Sequence, residues 1–240
     1  MCHTWHVGKR RASRQRIEAQ IVELGRRHLV EHGVAGLSLR AIARELGMVS
    51  SAVYRYVASR DELLTLLLVD AYDDLADAVE AARDAMAEVW SDDVLAIAHA
   101  VRRWALTHPA RWALLYGSPV PGYQAPAERT VRPGARVLGV LFDAVAAGIA
   151  TGDIMLTDHT APQPISSDLQ RVRDNFGFPG DDRVVAKCLL LWAAIVGAVS
   201  LEVFARYGAG TLADPEALFD TQVRLLVGVL TQRDAVAGAN

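Results

Sequence analysis

Residues 39–56 have the sequence LRAIARELGMVSSAVYRY. Its apolar residues Ile42 and Val53 are spaced to meet across two short helices that are joined by a tight turn. Ala43 is small where those helices cross, and Gly47 stands where the turn needs a positive φ, which a Cβ would penalise. Small and polar residues open the second of the two helices. We therefore interpret this stretch as a helix-turn-helix.

A further helix is predicted on each side of this stretch. The apolar rhythm that starts at Ile17 predicts a first helix over about residues 14–32, and Gly33 is a suitable stop for it. Residues 59–62, Ser-Arg-Asp-Glu, form a capping box, in which a serine and a glutamate three positions later satisfy the free amides of a helix start. This box predicts a long fourth helix.

The remaining sequence is also helical by its patterns. Ser38 and Ser50 can cap the two helices of the central stretch, which we expect at 39–46 and 51–57. Further helices are predicted at 92–107, 110–117, 126–150, 166–176, 181–207 and 215–233, with a loop at 151–165 and a capping Asp214 before the last helix. The predicted fold class is all-α, with an N-terminal three-helix helix-turn-helix domain and a C-terminal helical bundle.

The charge of the chain is unevenly distributed. Its 240 residues carry a net charge of −3, but residues 1–60 hold 11 basic and 4 acidic side chains, whereas 61–240 hold 14 and 24. A basic quarter followed by an acidic remainder suggests two regions with different partners. The predicted organisation is a flexible basic tail at 1–13, a helix-turn-helix domain at 14–60, a second helical domain at 61–234, and a tail at 235–240.

Composition excludes several classes of protein. With 52% hydrophobic and 22% charged residues, the chain is neither a disordered protein nor a fibre, and two cysteines cannot form a disulfide framework. Cys188 opens an apolar run and is predicted to be buried. That run, residues 188–201, is the longest uncharged apolar run, and its 14 residues fall short of the roughly 18 that a bilayer span needs. We expect a cytoplasmic protein without a membrane partner or a secretory signal.

Residues 14–62 resemble the DNA-binding domain of the TetR family of repressors. The resemblance is carried by Leu39-Arg40-Ala41-Ile42-Ala43, Leu46-Gly47, Tyr54-Arg55-Tyr56 and Ser59-Arg60-Asp61-Glu62-Leu63-Leu64. It implies that Arg40 contacts a base or a phosphate, that Ser50, Ser51 and Ala52 approach base edges, that Tyr54 and Tyr56 bind phosphates, and that Arg60 contacts the DNA backbone. Since residues 50–52 are small, Arg40 is the candidate for a guanine contact.

Alternatives remain for several of these residues. Tyr54 and Tyr56 could instead be aromatic residues of the three-helix core, and Arg44 and Arg55 could be solvated surface charges. The basic tail could follow phosphates or the minor groove, or it could be disordered with weak, salt-sensitive contacts.

Beyond the fourth helix the sequence resembles the regulatory domains of the same family, which implies a regulatory, ligand-binding and dimerisation domain at 61–234. Segments 107–116 and 191–202 resemble a subfamily named for a Trp-His-Gly element, but Val196 stands where that histidine would precede Gly197. Residues 184–204 are apolar on nearly all sides, so this helix must be covered all round. Helices 181–207 and 215–233 are therefore predicted to pair with a second copy in a C2 homodimer that matches a palindromic DNA operator.

An unknown small-molecule effector is the other predicted partner. Bulky residues that could line an apolar pocket between bundle helices are Trp104, Trp112, Tyr116, Tyr123, Phe142, Met155 and Phe176. Residues of this kind are more often ordinary core residues than parts of a ligand site. In the predicted mechanism, the ligand moves the long helix from Asp61 and releases a repressor from its operator.

Two other functions deserve consideration. Residues 28–32, His-Leu-Val-Glu-His, fit the H-x-x-E-H pattern of a metal-dependent hydrolase, which would also need a distant third ligand. A bundle that binds a small molecule but has lost DNA binding is the second alternative. The sequence shows no phosphate loop, dinucleotide fingerprint or nucleophile elbow, so we predict neither an enzyme nor a cofactor. The acidic residues at 70, 73, 74 and 77 are predicted to form a solvated helix face.

Overall fold

The computed structural model describes residues 4–85, 89–157, 160–208 and 210–232, with side chains from Ala12 onward. These residues form ten α-helices and no strand, which confirms the all-α prediction. The helices are α1 (Thr4–His32), α2 (Leu39–Glu45), α3 (Ser50–Val53), α4 (Arg60–Asp84), α5 (Trp90–Thr107), α6 (Pro109–Tyr116), α7 (Ala127–Ala150), α8 (Ile165–Phe176), α9 (Asp182–Val203) and α10 (Pro215–Thr231), with a 3-10 turn at Val34–Gly36. The predicted tail at 235–240 lies outside the described residues.

The contacts divide the chain into two compact units. The first unit consists of Met1–Asp74 and His108–Gly134, and the second consists of Leu75–Thr107 and Ala135–Asn240. Helices α4 and α7 therefore each contribute residues to both units. The first unit contains all of α6 in addition to α1–α3, so it is built from two separate segments of the chain.

The core of the first unit joins α1–α4. Ile42 of α2 and Val53 of α3 are fully buried in one cluster with Ile21 of α1 and Leu63 of α4, which confirms the prediction that Ile42 and Val53 meet across the two short helices. A Cβ on Gly25 would lie 3.2 Å from Leu67, so glycine allows α1 to approach α4 closely.

Several helix ends follow the predicted chemistry. Gly33 and Gly47 both have a φ of 64°, where a Cβ would be strained. Ser38 Oγ accepts from the amide of Ala41 at 3.4 Å and caps α2. Ser59 Oγ accepts from Glu62 at 3.0 Å, but the glutamate carboxylate pairs with another helix, so only half of the capping box forms.

Two helices near the N-terminus differ from their predicted bounds. α1 begins at Thr4 instead of near residue 14, because Lys, Arg, Ala and Gln favour a helix even without an apolar rhythm. α3 ends before 57, since the amides of Arg55 and Tyr56 donate to carbonyls three residues back, at 3.3 and 2.9 Å. Its capping position holds Val49 instead of the predicted serine.

Helix α9 also stops earlier than predicted, at Val203 instead of 207. Ala205 adopts a φ of 53°, and the amide of Arg206 donates to the carbonyl of Leu201 at 2.7 Å. A left-handed residue of this kind directs the chain out of the helix and satisfies its last carbonyls.

The second unit contains a buried arginine that connects three helices. Arg102 of α5 donates from Nε and Nη2 to Glu202 of α9, each at 2.8 Å. Its Nη1 lies 3.3 Å from Glu216 of α10. A bidentate arginine fixes the relative positions of the helices that it joins. Cys188 of α9 is fully buried, as predicted, and burial raises the pKa of its thiol to about 12.

Two described helices, α7 and α9, are long and apolar enough to cross a membrane when judged by length and composition alone. This is weak support for a membrane protein, because the core helices of soluble proteins meet the same criterion.

Candidate nucleic-acid interface

The predicted base-contacting residues lie on α2 and α3 of the first unit. Arg40 is the second residue of α2, and its side chain is exposed. Ser51 is exposed on α3, while Ser50 and Ala52 are half-buried beside the buried Val53. The structure therefore leaves the hydroxyl of Ser51 and the guanidinium of Arg40 accessible to a partner.

The two tyrosines have different surroundings. Tyr54 is 44% exposed, so its ring is not a core residue. Tyr56 is half-buried and packs against the core of the first unit, which is the alternative considered for it. The guanidinium of Arg14 lies over the Tyr56 ring, 5.8 Å from its centroid, and donates to the carbonyl of Arg55 at 3.4 Å. Sequence patterns did not single out this contact, because Arg14 belongs to a basic run without periodicity.

Arg60 has a partner within the protein. Its Nη2 donates to the carbonyl of Val34 at 2.7 Å, which connects the 3-10 turn to the start of α4. A guanidinium has five N–H donors. The bond to Val34 fixes the position of the Arg60 side chain, and its remaining donors can still bind a phosphate.

The residues of the H-x-x-E-H pattern do not converge on a common point. His28 is 4% exposed, and its Nε2 lies 2.6 Å from the Glu45 carboxylate of α2. Glu31 and His32 are exposed. The bond to His28, with smaller effects from nearby arginines, lowers the pKa of Glu45. Among the described residues, no group of three or more His, Cys, Asp or Glu side chains could hold a metal ion.

The acidic face of α4 takes part in ion pairs. Asp74 and Asp77 are exposed, as the prediction of a solvated face requires, but Asp70 and Asp73 are half-buried. The Asp70 carboxylate accepts from Arg26 of α1 at 2.8 Å and from Arg111 of α6 at 3.0 Å. Arg111, which is 7% exposed, also bonds to Asp74 and to the carbonyl of Asp70. Asp77 accepts from Arg136 at 2.7 Å. One carboxylate thus joins α1, α4 and α6.

Candidate ligand residues of the first unit form an aromatic cluster. The rings of Trp112 and Tyr116 are 4.4 Å apart, and Tyr72 lies edge-on to Tyr116 at 6.5 Å. Burial raises the pKa of both the Tyr72 and Tyr116 phenols. The Tyr123 hydroxyl lies 2.9 Å from Thr65 Oγ1 of α4.

Candidate ligand residues of the second unit are more dispersed. Phe142 stacks on Phe176 with ring centroids 5.0 Å apart, and Phe178 completes that cluster at 4.6 Å. Trp104 is buried on α5, whereas Met155 is 48% exposed. The structure therefore brings Phe142 and Phe176 together and leaves Met155 at the surface.

An apolar groove of about 470 Å³ lies between α9 and α10 in the second unit. Its lining includes Ala198, Leu201, Leu225 and Leu226. Leu225 is 67% exposed. Exposed leucines that continue an apolar groove are typical of a surface that another chain covers.

Two protein-family models match the chain. The model for "Bacterial regulatory proteins, tetR family" matches residues 21–67, and the model for "Tetracyclin repressor-like, C-terminal domain" matches residues 94–226. Together they cover more than half of the chain. Neither tests the resemblance to the Trp-His-Gly subfamily, which stays a prediction.

Individual relatives extend this similarity to almost the whole chain. The HTH-type transcriptional regulators Mb1846 of Mycobacterium bovis and Rv1816 of Mycobacterium tuberculosis are each 71% identical over 233 residues, which is 97% of this chain and 100% of theirs. The crystal structure of the regulatory protein SCO4313 has 32% identity and a TM-score of 0.73 over 91% of this chain and 98% of its own. A protein from Rhodococcus sp. RHA1 has the same fold, with 24% identity and a TM-score of 0.69 over 90% and 95% of the two chains.

Proposed function

The chain belongs to the TetR family of bacterial transcriptional regulators, and from this premise we propose that it is a homodimeric repressor released from a palindromic operator by a small molecule. It is a DNA-binding regulator and not an enzyme. The observation that carries the proposal is the exposed side of the helix-turn-helix, where Arg40 and Ser51 are accessible above a fully buried core.

The residues proposed to contact DNA form two groups, one that contacts bases and one that contacts phosphates. Arg40 can form a bidentate contact with guanine, and Ser50, Ser51 and Ala52 approach base edges. Tyr54, with its exposed ring, and the free donors of Arg60 bind phosphates, which fix register without carrying sequence information. The excess of basic residues before position 61 attracts the duplex, and the acidic remainder favours this orientation on DNA.

The α9–α10 groove supports a dimer. A C2 axis would place the same apolar surface on both copies, so each groove would be covered by the α10 leucines of the other copy. An obligate interface of this kind buries on the order of 2,000 Å². The two α3 helices would then lie about 34–36 Å apart, one turn of B-DNA. A monomeric mass at micromolar concentration contradicts this assembly.

The effector is proposed to be a mainly apolar or aromatic small molecule. The adjacent rings of Trp112 and Tyr116 and the stacked rings of Phe142 and Phe176 provide surfaces for it. A ligand that favours one position of α4 would change the spacing of the DNA-binding units, since α4 is the next helix after α3 and packs in the same core. Its affinity must differ between the two spacings for release to occur.

Selection of bound fragments from genomic DNA tests the proposal. A cytoplasmic regulator would meet its operator in this DNA. We expect enrichment of one palindromic sequence, followed by a band shift with that duplex and none with scrambled DNA of equal length. A chain that enriches no sequence, but binds small molecules, would instead be a bundle that has lost DNA binding. The genes beside the operator then narrow the choice of effectors for the release assay.

The Arg40→Ala variant is expected to lose about 1–3 kcal/mol of binding free energy on the operator and far less on random DNA, because a base contact is removed. Arg60→Ala is expected to weaken binding to both and to lower the dependence on salt, because a phosphate contact is removed. Titrations of both duplexes at several salt concentrations measure these effects.

Arg103→Ala provides the matched control, since it removes one exposed arginine from α5 of the second unit. It should bind both duplexes like the wild type. Equal losses on operator and random DNA for Arg40→Ala would contradict its role in base recognition.

A further inference from the structure

The residue directly before α3 is a valine, and α3, like α6 and α8, begins without a side-chain cap. Val49 occupies the capping position with φ −68° and ψ 142°, and no side chain caps the helix there. Serine or aspartate side chains perform this function for α2, α4, α9 and α10. Valine is among the least favourable residues at a helix cap because it offers no acceptor to the free amides. The start of α3 therefore lacks the hydrogen bond that a serine or aspartate at position 49 could provide.

Packing does not account for this valine. Val49 is 70% exposed, whereas its neighbour Met48 is partly buried and packs against the core of the first unit. Only the main chain of Val49 contributes to α3, through its carbonyl, which accepts from Ala52 at 2.9 Å. A side chain that weakens the helix start and contacts no core is best explained by an external partner, because proteins depart from local rules mainly at functional sites.

We infer that Val49 determines operator sequence by packing its methyl groups against the 5-methyl group of a thymine in the major groove. This inference rests on the proposed function, in which the start of α3 faces the base edges. The thymine methyl is the one apolar group that a base pair presents in the major groove. An aliphatic side chain beside this methyl group distinguishes T·A from A·T. The Ser51 hydroxyl discriminates less between these pairs, because it can both donate and accept a hydrogen bond.

The test uses the operator duplex that the genomic selection recovers. Each thymine of one half-site is replaced, one at a time, by deoxyuridine, which removes the methyl group and keeps every pairing atom. We expect one position where the replacement lowers wild-type affinity by about 4-fold, the value for one buried methyl, and about 16-fold when both half-sites are changed. Replacement at the other thymines should leave affinity within 2-fold of the wild type by this same reasoning.

Two variants assign that effect to the side chain. Val49→Ala and Val49→Ser should each bind the thymine operator less tightly than the wild type and should not respond to deoxyuridine at the sensitive position. Val49→Ser also restores a capping hydroxyl, so its melting temperature should equal or exceed that of the wild type. Lower affinity in a more stable protein cannot arise from an unfolded α3.

The outcomes separate this inference from the function on which it rests. An enriched operator at which wild type and both variants respond equally to every deoxyuridine overturns the thymine contact and leaves the repressor proposal intact. An operator whose affinity is unaffected by either variant overturns it as well. If no sequence is enriched, the proposed function and the thymine contact fail together.

Discussion

Leu225→Arg is expected to produce a monomer in solution and to lower operator affinity by at least about 100-fold, the lower end of the gain that two linked sites provide. Leu225 is 67% exposed on α10 and lines the groove between α9 and α10. In a C2 interface every substitution appears twice, so two arginines would be desolvated without a partner. Each free copy would then bind only one half of the operator.

Sedimentation or light scattering at micromolar concentration, followed by a titration of the operator, measures both effects. Val131→Arg is the matched control, because Val131 is similarly exposed but lies on α7 in the first unit. It introduces the same charge and should remain dimeric. Circular dichroism establishes that Leu225→Arg is folded. A dimeric Leu225→Arg protein with wild-type affinity would exclude the α9–α10 surface as the interface.

Asp70→Ala is expected to lower the free energy of unfolding by about 2 kcal/mol, within the range for the loss of hydrogen bonds to a charged group. Asp70 accepts hydrogen bonds from Arg26 and from Arg111, and Arg111 is almost fully buried. Without this carboxylate, the Arg111 guanidinium keeps Asp74 as its charged partner, and α1 loses its charged contact with α4.

Urea unfolding followed by circular dichroism measures this difference. Glu23→Ala is the matched control, since Glu23 pairs with the same Arg26 at 3.0 Å but is mostly exposed. It should cost less than about 1 kcal/mol, as surface pairs generally do. If both variants lost equal amounts, the shared carboxylate of Asp70 would have no special part in holding α1 and α6 on α4.

Local sequence patterns predicted the elements that depend on neighbouring residues. The positive φ of Gly47, the cap at Ser38 and the burial of Ile42 and Val53 all follow from chemistry within a few positions along the chain. The length of α3 could not be predicted in this way, because Tyr54 and the residues after it suit both a continued helix and a tight turn.

Contacts between distant residues could not be predicted from the same patterns. Asp70 and Arg26 are separated by 44 positions, and Asp77 and Arg136 by 59. A helix face rich in aspartate is compatible with solvent or with arginines from elsewhere, and only the fold decides between them. Likewise, aromatic composition indicated rings suited to a ligand, but not that Phe176 would stack on Phe142.

The discontinuous first unit affects how such regulators can exchange their DNA specificity during evolution. A single recombination event near residue 60 would transfer α1–α3 to a relative but leave Asp70, α6 and Arg111 behind. The transplanted segment would then depend on the recipient for the carboxylate that Arg26 needs. With the proposed function, new specificity would therefore be acquired more readily through substitutions on α2, on α3 and in the turn between them, such as at Arg40 and Val49, than through exchange of the whole segment.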